Sequence, residues 1–236
     1  MDGLVFAAGR GSRLRPLTDD TPKPLLPVDG RPILEHCLET LADLGVDRLV
    51  VVVGYRAEQV IDQVGETFRG LPVAYARQDE RLGMAHALLA AEDHLGGDVA
   101  MLDGDCLVEA DLRPLVERHR EPGVDGTLLL TRVSREDARS KAVVDRDDEG
   151  RLLGIRKEPD DPPDPALVAA SVQTATPALL DACRAVRQSP RGEYEMAAAI
   201  QRLIDDGRTI LGVEADGWHA NVNTPEDLAA ARAHYD

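Results

Sequence analysis

Aromatic side chains are almost missing from this chain, with two Phe, four Tyr and one Trp in 236 residues. Val, Leu, Ile and Ala must therefore fill its core. No apolar run approaches the ~20 residues that a membrane-spanning helix needs, which excludes such a span. The amino terminus lacks the basic opening of a secretory signal and runs straight into a Gly-rich motif, so a cytoplasmic protein is expected. Cysteine is scarce: Cys37, Cys106 and Cys183 lie far apart without metal-ligand spacing, and read as buried free thiols in a reducing compartment. Lysine occurs only at positions 23, 141 and 157, arginine supplying the other basic residues, and the formal net charge is −16. That charge excludes a general nucleic-acid binder, because phosphate backbones demand a basic face. An acidic surface with so little lysine suits a salt-adapted, halophile-like protein, in which screening collapses self-repulsion. An ordinary acidic cytosolic protein is the alternative. Under either reading, a lysine kept in such a chain marks a position where it is used.

The length allows one domain or two, and a single large α/β domain spanning residues 1–236 is expected. Apolar runs alternate with helical patterns through the first half. Leu4–Ala7, Leu49–Val53, Val73–Ala76 and Val99–Leu102 read as strands, and Pro32–Leu44, Ala57–Val64 and Met84–His94 as helices. This alternation predicts a parallel sheet with helices on both faces. Ligands in such sheets sit at the carboxyl ends of strands, so the loops after Ala7, Val53, Ala76 and Leu102 should share one rim. In the second half, strands are expected at Gly126–Val133, Ala142–Asp145, Leu152–Arg156 and Thr209–Val213. Asp147–Gly150 should be a hairpin turn and Glu158–Pro165 a loop. Ala178–Arg187 and Met196–Asp205 look helical. A last helix starts with Thr224 as N-cap and Pro225 at the first helical position, and runs to about His234.

The first strand leads into Ala7-Ala8-Gly9-Arg10-Gly11-Ser12-Arg13-Leu14-Arg15-Pro16. Glycines after a strand let backbone N–H groups close around phosphate oxygens, making Ala7, Ala8, Gly9, Gly11 and Ser12 candidate nucleotide-binding positions. A dinucleotide-binding loop would carry a third glycine and open directly into a helix. Here that glycine is missing, and Pro16 and Pro27 delay any helix, so a long, cationic, extended loop is expected. Such a loop suits a triphosphate with a reacting α-phosphorus. Pro22 and Pro24 stiffen the backbone around Lys23, as befits transfer chemistry that works by positioning and charge neutralisation. Arg13 and Lys23 are the candidate catalytic cations. Asp103-Gly104-Asp105 follows an apolar strand directly, where a carboxylate is well placed for a hard cation.

Gly9–Val28 resembles the signature of the sugar nucleotidyltransferases, the glucose-1-phosphate thymidylyl- and uridylyltransferase superfamily: G-x-G-[ST]-R-L-x-P-x-T, then P-K-P-L-[LV]-P-V. The resemblance implies a Rossmann-like three-layer sandwich with a mixed, mostly parallel central sheet, the nucleotide-diphospho-sugar transferase fold. Residues 1–105 would form the nucleotide-binding half and 106–236 the sugar-phosphate half. It implies that Arg13 holds the β- and γ-phosphates, and that Lys23 bridges the NTP α-phosphate and the sugar phosphate. Gln78 through Ala87 is similar to the family's Q-x-x-x-L-G-T-A, whose Gln side chain and Gly backbone (Gln78 and Gly83 here) read a pyrimidine edge. Met84 stands where Thr is usual. The Asp of L-x-G-D maps to Asp105, a ligand of Mg²⁺.

The sugar half departs from the family pattern. Arg156-Lys157-Glu158-Pro159 stands in place of E-K-P, with Lys and Glu exchanged, which on a strand would send each to the opposite face; a slip of one residue or a bulge would restore both roles. Glu193–Ala198 is similar to the helix start that carries Glu195, with Ala where Thr and Asp are usual. Lys157, Glu158 and Glu195 are the candidate sugar-phosphate residues. Trp218–Leu228 resembles W-x-D-[VI]-[GDN]-T-P-E-D-L, with Asn221 where the family has a second Mg²⁺-binding Asp; His219 reads as packing.

The expected activity joins an NTP to a sugar 1-phosphate and releases pyrophosphate. UTP or dTTP is favoured, with CTP open and a purine disfavoured. The acceptor is a hexose or another polyol phosphate. The alternative is a catalytically reduced, nucleotide-binding regulatory subunit of the same family. No nucleic-acid or membrane partner is expected, and the resemblance admits a homodimer.

Overall fold

The structure, a computed structural model of the chain, describes residues 1–235. In chain order it runs β1 (Asp2–Phe6), β2 (Pro27–Val28), β3 (Arg31–Pro32), α1 (Ile33–Asp43), β4 (Arg48–Val53), α2 (Ala57–Val64), β5 (Thr67–Phe68), β6 (Leu71–Arg77) and α3 (Met84–Ala90). Then come β7 (Val99–Asp103), β8 (Cys106–Ala110), α4 (Arg113–His119), β9 (Gly126–Val133), α5 (Arg135–Ala138), β10 (Ala142–Arg146), β11 (Leu152–Lys157) and β12 (Ala166–Ala175). The remaining elements are α6 (Ala178–Ala185), α7 (Met196–Asp205), β13 (Ile210–Glu214), β14 (Gly217–Asn221) and α8 (Pro225–Tyr235). The arrangement is the expected α/β fold, with a mixed sheet and flanking helices.

Two compact units form. Unit 1 takes Met1–Arg81, Ala90–Ala110 and the chain from Gly217 onward; unit 2 takes Leu82–Leu89 and Asp111–Asp216. The division therefore does not fall at Asp105, as the sequence led us to expect. Strand β14 pairs antiparallel with β8, placing Asn221 opposite Cys106, and α8 packs on β2 and β14. The carboxy-terminal segment thus belongs to the same unit as the loop after β1.

In unit 1 the strands lie in the order β7-β1-β4-β6-β5, the first four parallel. Leu49–Val53 of β4 is fully buried throughout, as expected of a strand covered on both faces. The register aligns Phe6 with Asp103 and Val53 with Arg77, so the four carboxyl ends do share a rim. The chain leaves β1 toward β4 and β6, then returns to the other flank of β1 as β7. The loop after β1 therefore emerges at a topological switch point, where such sheets bind ligands. Helix α1 packs on β1, β7 and β8 through Ile33, Leu34, Cys37, Leu38 and Leu41, all fully buried and spaced at helical period.

In unit 2 the order is β11-β10-β12-β9-β13; only the β9–β13 pair is parallel among its described ladders. The Asp147–Gly150 turn closes as expected, with Asp147 Oδ1 accepting from the N–H groups of Glu149 and Arg151 at 3.0 and 2.8 Å. Sequence patterning missed β8, α4, β12 and β14. The helix expected over Met84–His94 stops at Ala90, and Glu92–His94 tightens into a 3₁₀ turn. Among the described residues no helix is long and apolar enough to cross a membrane.

Candidate active site

The loop after β1 is not uniformly extended, as its prolines suggested. It contains two 3₁₀ turns, Ser12–Leu14 and Lys23–Leu25. Buried Leu14 and Pro24 anchor these turns, leaving Arg13 exposed and Lys23 partly covered. Gly11 precedes the first turn at φ +65°, and a Cβ there would lie 2.7 Å from the Cβ of Lys23. Only glycine permits both the left-handed backbone and that approach. The hydroxyl of buried Thr18 donates to the Gly11 carbonyl at 2.8 Å and fixes the bend.

Four of the expected residues converge within unit 1. Lys23 Nζ forms an ion pair with Asp105 Oδ2, their side chains 12% and 19% exposed. Asp105 Oδ1 accepts from the side-chain amide of Asn221 at 2.9 Å. Arg13 reaches the same group through a residue that the sequence reading missed: Asn223 Oδ1 accepts from Arg13 Nη2 at 2.8 Å and from Lys23 Nζ at 3.0 Å. No local pattern in the sequence marked Asn223. It lies two residues beyond Asn221, with fully buried Val222 between them. Gly104 lets the Asp103–Asp105 corner sit against β1, since a Cβ there would meet the Phe6 carbonyl at 2.6 Å.

The expected nucleotide-binding positions have distinct settings. Ala7 and Ala8 are buried, and Ala7 N–H donates to the Val52 carbonyl at 2.8 Å. Gly9 faces open space, and Ser12 is exposed. Gln78 is buried just past the end of β6, its N–H donating to the Val53 carbonyl at 2.9 Å. Beside it lies a cavity of about 380 Å³ whose lining includes Arg10, Tyr55, Arg77, Gln78, Asp79 and Arg81. The Arg10 guanidinium stands 5.3 Å from the centroid of the Tyr55 ring, within cation–π range.

Unit 2 holds the remaining expected residues. Gly83 has φ +96°, and a Cβ there would meet the Tyr194 carbonyl at 2.6 Å; Tyr194 N–H donates to the Leu82 carbonyl at 2.6 Å. At Lys157 and Glu158 the strand pattern breaks, the alternative that the sequence left open. Strand β11 ends at Lys157, and Glu158 adopts φ +49°, so the alternation breaks and Lys157 Nζ comes 3.5 Å from Glu158 Oε1. Arg191, unanticipated from the sequence, also pairs with Glu158. Its guanidinium holds the Glu158 carboxyl below the usual carboxylate range. Glu195 precedes α7 and accepts from Ser189 Oγ at 3.3 Å. The three cysteines are free and buried; burial pushes the Cys183 thiol up to about 12.

Residues 2–236 match the model of the nucleotidyl transferase family. The chain belongs to that family. Among its relatives is UTP–glucose-1-phosphate uridylyltransferase AglF of Haloferax volcanii, 44% identical over 227 residues, covering 96% of this chain and 93% of that protein. A glucose-1-phosphate thymidylyltransferase of Streptomyces griseus is 37% identical over 231 residues, covering 97% of this chain and 64% of that longer protein. Among solved structures, UDP-glucose pyrophosphorylase complexed with UDP-glucose superposes with a TM-score of 0.89 at 19% identity, covering 99% and 97% of the two chains. A putative glucose-1-phosphate thymidylyltransferase from Bacillus anthracis gives a TM-score of 0.89 at 25% identity, covering 99% and 94%.

Proposed function

We propose that this nucleotidyltransferase condenses UTP or dTTP with a sugar 1-phosphate, releasing pyrophosphate and forming a nucleoside diphosphate sugar. The observation that carries the reading is the gathering of Arg13, Lys23 and Asp105 at the carboxyl end of the parallel strands. A phosphate oxygen of the sugar 1-phosphate attacks the α-phosphorus in line, and the bond to the bridging oxygen of pyrophosphate breaks. Negative charge grows on that leaving group, where Arg13 stabilises it. Lys23, on its stiff proline-flanked mount, neutralises the α-phosphate and the incoming phosphate together. Gln78, able both to donate and to accept, suits the imide edge of uracil or thymine. The 44% identity to a uridylyltransferase supports UTP first.

The donor set suits Mg²⁺. Asp105 offers one carboxylate, and Asn221, whose NH2 donates to Asp105 Oδ1, would turn its amide to offer an uncharged oxygen, a weaker set than two carboxylates; Mg²⁺ commonly keeps waters and substrate phosphates as its other ligands. Bound there, the ion would supply further neutralisation of phosphate charge. In unit 2, Lys157 and Glu195 are the proposed contacts for the sugar phosphate.

The test is pyrophosphate release from UTP, dTTP, CTP and ATP, each with a panel of sugar 1-phosphates and Mg²⁺. UTP or dTTP should support turnover, and Lys23→Ala should lower kcat by about 10²–10³-fold, as loss of a transition-state charge donor does. A Lys23→Ala enzyme of wild-type rate would overturn the reading. The regulatory alternative is favoured by one feature, the engagement of Glu158 with Arg191 and Lys157. It predicts UTP binding without pyrophosphate release from any pair.

A further inference from the structure

The segment Asn221–Thr224 does more than connect β14 to α8. Asn223 Oδ1 is the shared acceptor of Arg13 Nη2 at 2.8 Å and Lys23 Nζ at 3.0 Å. An amide oxygen offers two lone pairs, and these two donors use both. Asn223 is itself held in place. Its backbone N–H donates to Asp227 Oδ2 at 2.9 Å. The residue before it, Val222, is fully buried and donates its N–H to the Asp105 carbonyl at 2.8 Å. The acceptor is therefore rigid, while the two side chains it receives are the most flexible in the group. Free Lys and Arg side chains carry large rotamer entropy, which must be lost before either can meet a phosphate in a fixed geometry.

The acceptor is also uncharged. A carboxylate at this position would neutralise the two cations and compete with the triphosphate for them. Lys23 already carries one ion pair, to Asp105, and the amide oxygen orients both cations without adding a second negative charge. We propose that Asn223 is a positioning residue: its side-chain oxygen pre-orients Arg13 and Lys23 toward the triphosphate while adding no charge beyond that of Asp105. The inference rests on the transferase reading of Arg13 and Lys23, and deepens it by naming what aims them.

Removal and charging of this oxygen have different consequences. In Asn223→Ala the cations lose their guide but keep their attraction for phosphate, so kcat should fall about tenfold with little change in KM for UTP. In Asn223→Asp, which keeps the shape, a second carboxylate joins Asp105 beside the cations, and Arg13 gains an ion pair in the free enzyme. KM for UTP should then rise about tenfold, with a smaller change in kcat. Calorimetric titration with UTP alone should show the same weakening in Asn223→Asp, whether or not chemistry follows. A double-mutant cycle with Arg13→Ala completes the set. The effect of Asn223→Ala should shrink to about threefold in the Arg13→Ala background, because the residue acts partly through that side chain. Equal effects in both backgrounds, or wild-type kcat and KM in the two Asn223 variants, overturn the proposal. Should Asn223→Ala not fold, as judged by its urea midpoint, the near-isosteric Asn223→Asp carries the test alone. If Lys23→Ala and Arg13→Ala both turn over at the wild-type rate, the transferase reading itself falls. If they fail while the Asn223 variants behave as wild type, only the positioning role falls.

Discussion

At Gly11 the backbone sits at φ +65°, and a Cβ would come 2.7 Å from that of Lys23. Gly11→Ala therefore strains the turn and pushes the lysine's mount aside together. The destabilisation should be about 1–2 kcal/mol, read from the shift in urea midpoint. Because a displacement near 1 Å can cost about 10²-fold in rate, kcat should fall far more than stability does. An enzyme of wild-type kcat would show that the loop repositions Lys23 freely. At this scale the sequence was readable where chemistry is written contiguously. Arg13 and Lys23 flank one loop, and Asp105 closes one strand corner. Asn223 and Arg191 were not readable. The role of Asn223 depends on which strand β14 pairs with, and Arg191 meets Glu158 only because that residue takes φ +49°. Neither fact has a local signature.

Helix α8 opens with a reciprocal cap. Asp227 N–H donates to Thr224 Oγ1 at 3.2 Å, and Asp227 Oδ2 accepts from Thr224 N–H at 2.8 Å. Thr224 and Pro225 marked this start in the sequence, while Asp227 suggested only a dipole effect. Its further bond to the Asn223 N–H ties the cap to the active site. Asp227→Ala should thus cost about 1 kcal/mol of stability and also lower kcat, whereas Thr224→Ala should cost similar stability with a smaller loss of rate. Urea melts and pyrophosphate release on both variants check this; equal rate losses would show that the cap acts only on stability. Elements with strong periodicity, such as α2, β9 and α7, begin and end where the pattern put them. Strand β12 escaped because its central Ala-Ala-Ser run does not alternate. Its ladder to β9 shifts register between Ala169 and Gln173, a bulge that no composition rule announces.

Over the whole molecule, a net charge of −16 makes self-repulsion the long-range term. Most of the ion pairs among the described residues, such as Arg202–Asp206 and Arg184–Asp181, join well-exposed side chains, where water screens each pair and leaves it little net worth. Salt weakens both terms, but the repulsion is summed over every acidic residue. Raising KCl from about 0.1 to about 1 M shrinks the screening length from ~10 to ~3 Å, and the thermal midpoint should rise by several degrees. A midpoint that falls would mean that the ion pairs dominate instead. The α/β class was legible at this scale from alternation alone. The division into units was not, because the chain's final strand and helix return to the first unit.

The bond between Lys23 and Asn223 joins positions 200 apart, and that between Arg13 and Asn223 positions 210 apart. During translation the loop after β1 is made well before the residue that its two cations meet. A nascent chain that has not yet emerged past residue 223 holds both cations without the oxygen that aims them. The arrangement of the two side chains therefore waits on residue 223.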